Sequence, residues 1–422
     1  MLCLLLFLAD DPKAALSKRL LSPRQAMLDV QDHVESRLPR LPAPDEAWAK
    51  KLRADLLAKV VLRGEAARWD AKGVEYGDTL EGVGYSIRKL RYEALPGMWI
   101  PALLYVPAKL ADKVPVMLAV NGHDRAGKAA DYKQTRCINL AKRGMIVLNA
   151  EWFGMGQLRA KGWEHASMNG IDLCGTSGLA PFYLSMKRGL DVLLAQPKAD
   201  PARVAVSGLS GGGWQTIWIS ALDERVALAN PVAGYSPFKV KIREWFKDLG
   251  DSEQAPTDFA SLADYTHLTA LRAPRPTLLT YNGKDDCCFE AGYALPPLMK
   301  AARPFFDAHK KGGNLRSHVN DDPGDHNFGK DNREALYRAV GDFFYPDDPK
   351  YVRKEIECAK EVRKPAELEA ALPKGNVSLN GLALALSGKL KRPLPESDQP
   401  KWQQAMRKEL AEVLRLPSLD AR

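Results

Sequence analysis

Four short, continuously apolar runs constrain this chain most: 114–120 (VPVMLAV), 145–150 (MIVLNA), 203–207 (RVAVS) and 276–281 (PTLLTY). A strand buried on both faces loses the polar alternation of a half-exposed one, so such runs read as a parallel sheet covered on two sides. A weaker run at 226–232 and a polar edge candidate at 315–320 extend the set. Helical periodicity fills the gaps at 129–143, 182–195, 212–222, 291–310 and 332–344. Repeated strand–helix alternation predicts an α/β fold, a mostly parallel twisted sheet with helices on both faces. Ahead of it, 84–93 (GYSIRKLRYE) and 98–106 (MWIPALLYV) flank Leu95-Pro96-Gly97 and read as an antiparallel hairpin.

The flanks differ from this centre. Residues 1–9 (MLCLLLFLA) resemble the apolar core of a secretory signal without its basic leader, and are too short to span a bilayer. That predicts a secreted or periplasmic protein with no stable membrane insertion. Residues 10–82 are charged and helical in pattern, with Trp48, Leu52, Leu56, Val60 and Arg63 at amphipathic spacing. The catalytic domain is expected at 83–345, with an aromatic insert at 235–266 (Phe238, Trp245, Phe246, Phe259) that could cap the carboxyl edge of the sheet. The tail, 346–422, is polar and helical in pattern, and its Trp402, Arg407, Leu410 and Val413 echo Trp48, Arg53, Leu56 and Val60. The formal charge is +9, but basic residues interleave with acidic ones, so the compact stripe a nucleic-acid partner needs is missing. Six cysteines, Cys287 and Cys288 adjacent, show no metal-ligand spacing; both of that pair read as small, buried, reduced side chains, with a strained vicinal disulfide as the alternative.

The chemistry centres on Gly208-Leu209-Ser210-Gly211-Gly212, directly after one apolar run and directly before a helical one. A serine on so tight a turn stands clear of the sheet, and the turn tolerates only small residues two positions either side. The N–H of Gly211 would open the helix and face a developing oxyanion. A serine hydroxyl needs a base and an orienting acid, in the chain order Ser, acid, His. His326, in the turn Asp322-Pro323-Gly324-Asp325-His326, follows the last strand candidate and is the predicted base. The acid should leave the 276–281 strand, where Asp285 is the choice and Asp286 the alternative. A second oxyanion N–H is expected from His123, in Asn121-Gly122-His123. Trp152 and Trp214 are candidate sugar-stacking residues.

With these residues the chain resembles the α/β-hydrolase superfamily, and more narrowly its acetyl xylan esterase and prolyl-oligopeptidase-like branch. The resemblance covers about 84–345 and is strongest over 188–226, 270–289 and 323–328; residues 151–157 (EWFGMGQ) are similar to that branch's acidic GxGxS turn, with Glu151 and Gln157 as departures. It implies Ser210, Asp285 and His326 as a triad and Gly211 with His123 as oxyanion amides. No propeller-like series of strands precedes the hydrolase region, which favours an ester substrate, small or polysaccharide-borne. A prolyl-oligopeptidase-like serine peptidase and a non-catalytic carbohydrate-binding relative are the alternatives. No cofactor and no metal are expected, since nicotinamide, Walker and HExxH fingerprints are absent.

Overall fold

The computed structural model of the chain describes residues 22–245, 248, 250–391 and 398–414. The apolar run at 1–9 and Phe246 lie outside them. The chain opens on helices α1 (Pro23–Glu35) and α2 (Glu46–Leu56). Asp45 caps α2 by accepting from the N–H groups of Ala47 and Trp48. Its apolar stripe then docks: Leu52 and Leu56 are buried, and Trp48 meets the Phe305 ring at 5.2 Å. Arg53 locks the same face, donating to the carbonyls of Ala221 (3.0 Å) and Leu271 (2.6 Å).

Strands β1 (Val74–Gly82), β2 (Tyr85–Leu95) and β3 (Met98–Pro107) form an antiparallel meander. The chain then alternates through β4 (Val114–Ala119), α3 (Asp131–Lys142), β5 (Ile146–Ala150), α4 (Met168–Leu173), α5 (Ala180–Leu194) and β6 (Ala199–Leu209). Next come α6 (Gly211–Leu222), β7 (Leu228–Val232), the short helices α7 (Phe238–Arg243), α8 (Phe259–Leu262) and α9 (Tyr265–Ala270), and β8 (Thr277–Asn282). Helix α10 (Ala291–Ala308), β9 (Leu315–Asn320) and α11 (Lys330–Phe344) complete the hydrolase region, followed by α12 (Leu379–Ser387) and α13 (Gln399–Leu414).

Among the described residues the nine strands form one sheet, ordered β1-β2-β3-β5-β4-β6-β7-β8-β9. It is parallel from β5 to β9. Every residue of β4, β5, β7 and β8 is buried, as runs without polar alternation require. This is the α/β-hydrolase fold. The chain leaves β4 to build β5 on one side, then crosses to β6 on the other. The carboxyl ends of β4 and β6 therefore flank a topological switch point, where α/β sheets bind ligands.

One expectation fails in the N-terminal region: residues read as helical end in strand β1. Its sequence, VEYGDTLEG, is mostly exposed at the sheet edge, with apolar Val74, Tyr76 and Leu80 broken by Gly77 and Asp78, so the alternation is too faint to read and pairing with β2 makes it a strand. After α11 the chain runs as an irregular strap up to α12, pinned by Gln134, Asn139 and Arg143 of α3 and its C-terminus. No helix among the described residues is long and apolar enough to cross a membrane.

Candidate active site

Ser210 sits between β6 and α6 at φ 58° and ψ −123°, a region that non-glycine residues occupy only under constraint. The constraint is visible on both sides of it. The Ser210 N–H donates to the Val232 carbonyl at 2.9 Å, and its own carbonyl accepts from Trp214 at 3.0 Å. A Cβ on Gly208 would lie 2.4 Å from the Val120 carbonyl oxygen, and one on Gly212 2.9 Å from the same atom. The turn is thus wedged against the end of β4, and the side chain it presents is half-buried rather than enclosed.

The loop after β4 closes on this turn. A Cβ on Gly122 would stand 2.4 Å from the Leu209 carbonyl oxygen and 2.9 Å from the Gly211 nitrogen, so glycine alone permits the contact. Among the described residues neither the Gly211 N–H nor the His123 N–H donates to an acceptor. Buried Lys133 donates to the Gly122 carbonyl at 3.3 Å, and burial pushes its ammonium down to about 8. Glu151, buried, accepts from the Lys128 N–H at 2.7 Å and the Gln157 N–H at 3.1 Å, and pairs with Lys128 Nζ at 3.2 Å. It ties the loops after β4 and β5 together.

His326 lies on the loop between β9 and α11. Its Nδ1 donates to Asp285, 2.8 Å from Oδ2 and 3.0 Å from Oδ1. The Asp285 carboxylate is buried and also accepts the N–H groups of Cys287 (3.0 Å) and Cys288 (3.2 Å). Burial raises its pKa, but His326 and those two amides outweigh this and hold it below the usual carboxylate value. For His326 burial pulls downward and the Asp285 carboxylate pulls upward; the net is a raised value. Asp286 instead accepts the backbone N–H of His326 at 3.1 Å, bracing the loop. Lys284 fixes the same loop through the Gly324 carbonyl at 2.8 Å. Phe328 packs under Arg136 at 5.4 Å, and Arg136 reaches the Ser207 carbonyl (3.1 Å) and Asn121 (3.2 Å). The histidine loop is thereby tied to the strand ends that carry Ser210 and His123. Nε2 of His326, on the ring edge away from Asp285, is buried without a hydrogen-bond partner, so no bond to Ser210 is formed here.

Two expectations need correction. Trp152 and Trp214 are only 2% and 0% exposed, so neither offers a face to a sugar. Trp214 donates to the Tyr265 hydroxyl at 3.0 Å, while Trp152 covers Gly211, whose Cβ would fall 1.9 Å from the indole. Cys287 is exposed rather than buried, with its sulfur 2.9 Å from that of Cys288.

Four side chains that the sequence reading did not connect also converge near this site. Ligand atoms of His123, His165, Asp251 and Glu253 all lie within 4.8 Å of one another. His165 sits in a short turn before α4; Asp251 and Glu253 come from the insert, which therefore packs against the loop after β4. Spacings of 42 and 86 residues between members hide such a cluster from any motif search. Burial and the neighbouring His165 lower the pKa of His123; for His165, burial lowers it and Glu253 more than reverses the effect.

Residues 138–346 match the prolyl oligopeptidase family. The chain is similar to "Putative hydrolase YtaP" of Bacillus subtilis (strain 168), 26% identical over 189 residues, which is 42% of this chain and 62% of that protein. The match thus spans less than two thirds of that relative's length. The fold is similar to that of "Methylesterase BT1017" (TM-score 0.58, 17% identity, 88% of this chain and 82% of that one). It is also similar to a "putative acetyl xylan esterase (BF1801)" from Bacteroides fragilis NCTC 9343 (TM-score 0.54, 16% identity, 82% and 89%).

Proposed function

We propose that this α/β-hydrolase is a serine carboxylic-ester hydrolase acting on esterified carbohydrate by two-step acyl transfer. The observation that carries the reading is Ser210 held at φ 58° at the carboxyl end of β6, with an Asp285–His326 pair bonded at 2.8 Å after the carboxyl end of β8, two strands along the same parallel sheet. His326 Nε2 takes the hydroxyl proton as Ser210 attacks the ester carbonyl. The N–H groups of Gly211 and His123 face the oxyanion of the tetrahedral intermediate. The alcohol leaves with the proton from His326, and a water deprotonated by the same nitrogen releases the acid. Asp285 keeps the Nδ1 tautomer and stabilises the imidazolium. Apo geometries commonly leave such catalytic hydrogen bonds open until substrate binds.

The ester assignment draws support from the names of the two structural neighbours and from the N-terminal region, which is helices and one edge strand. A substrate of that kind would place the enzyme outside the cytoplasm. Ser210→Ala is expected to lower kcat on p-nitrophenyl acetate by about 10⁴-fold or more while leaving the circular dichroism unchanged. Wild-type turnover in that variant overturns the reading. Faster cleavage of a prolyl p-nitroanilide than of the acetate assigns the same residues to a peptidase, the outcome that the family match would favour.

A further inference from the structure

His165 presents an unusual pairing. Its Nε2 lies 2.9 Å from the Phe153 carbonyl, an acceptor, so Nε2 carries the proton there. Nδ1 of the neutral ring then points a lone pair at the Glu253 carboxylate, 3.1 Å away and itself an acceptor. Two lone pairs would then face each other in a buried setting, so either a proton on Nδ1 or a bound cation must lie between them. Glu253 is fully buried, and its other oxygen, Oε1, has no partner. On the open side of the same cluster, His123 Nε2 stands 3.5 Å from Asp251 Oδ2.

We propose that His123, His165, Asp251 and Glu253 form a divalent transition-metal site, best suited to Zn²⁺, that clasps the insert to the loop after β4. Tetrahedral zinc with bonds of about 2.1 Å holds its ligand atoms about 3.4 Å apart. The two pairs above already meet this, and the remaining separations, within 4.8 Å, close by modest movement of the half-exposed His123 and Asp251. Two imidazoles and two carboxylates favour zinc over the oxygen-seeking Mg²⁺ and Ca²⁺. The bond from His165 to the Phe153 carbonyl is the outer partner that a metal-bound imidazole typically keeps. Four protein ligands leave no vacant position, so the ion is a clasp and takes no part in the chemistry. Resting on the proposed function, the clasp would hold the His123 N–H where an oxyanion forms.

The test uses the tag-free full chain, stripped with chelator and titrated with Zn²⁺ alone, then with Co²⁺. Wild type and Ser210→Ala should each bind one ion per chain. The Co²⁺ form should show the visible bands of a tetrahedral site. Asp251→Asn and Glu253→Gln should each weaken binding at least about tenfold. Asp251 is exposed, so its variant reports even if Glu253→Gln fails to fold. Absence of stoichiometric metal at micromolar Zn²⁺, or equal binding in both variants, overturns the proposal and leaves His165 as an imidazolium paired with Glu253. Binding in Ser210→Ala is read without turnover, so it stands or falls apart from the esterase assignment.

Discussion

At the residue scale, the two aspartates at the end of β8 show how neighbouring carboxylates acquire different work. Asp285 turns inward, is buried, and meets the imidazole; Asp286 turns outward and accepts a backbone N–H of the histidine loop. Adjacent side chains leave a turn in different directions, so spacing alone favours one without excluding the other. Because Asp285 raises His326 above its ordinary value near 6.5, the base becomes competent only above that pH. The acid limb of kcat/KM is therefore expected above 6.5. In Asp285→Asn only the smaller upward pulls of Cys287 and Asp286 still oppose burial, and the limb should move downward as kcat falls by about 10⁴-fold. Asp286→Asn should move it much less; a pH-rate series on the three chains checks this. The linkage to stability has two signs. His326, raised on folding, stabilises below its unfolded value and loses this as pH rises through the folded one; Asp285, lowered, stabilises above about 3.9 and loses this as pH falls.

At the scale of elements, periodicity is informative wherever burial is one-sided or complete. The Trp48, Leu52, Leu56, Val60 series folds as α2 and the turn that follows it, because one face packs and the other stays wet. Leu56 is fully buried, so Leu56→Ala should lower stability by about 2–5 kcal/mol in urea unfolding. Strand β1 escaped detection for the converse reason: none of its residues is fully buried, only Val74 and Leu80 pack partly against the core, and it is held chiefly by hydrogen bonding to β2. Tryptophans mislead at this scale too. Trp214 lies on the helix after the nucleophile turn and would face a substrate if α6 were exposed, but every residue of α6 is buried.

For the whole molecule, the strap between α11 and α12 shows how distant segments share one structure. Arg143 donates to the Val352 carbonyl at 2.8 Å, Arg333 forks onto Glu355 at 2.6 and 2.8 Å, and Leu368 and Leu379 are buried. A chain ending at Tyr345 would uncover the core surface on which those leucines pack and leave buried polar groups on α3 unpaired, each costing about 1–3 kcal/mol. Its melting temperature should fall well below that of the full chain, as differential scanning calorimetry can show. What the amino-acid order determined unaided was the α/β alternation and the glycine-flanked serine turn, because these rest on periodicity and steric demands within a few residues. Only the tertiary structure decided which aspartate meets His326, that Trp152 and Trp214 are interior, and that His123, His165, Asp251 and Glu253 converge. Those outcomes depend on which loops the sheet topology brings side by side, and no local preference of the chain encodes that.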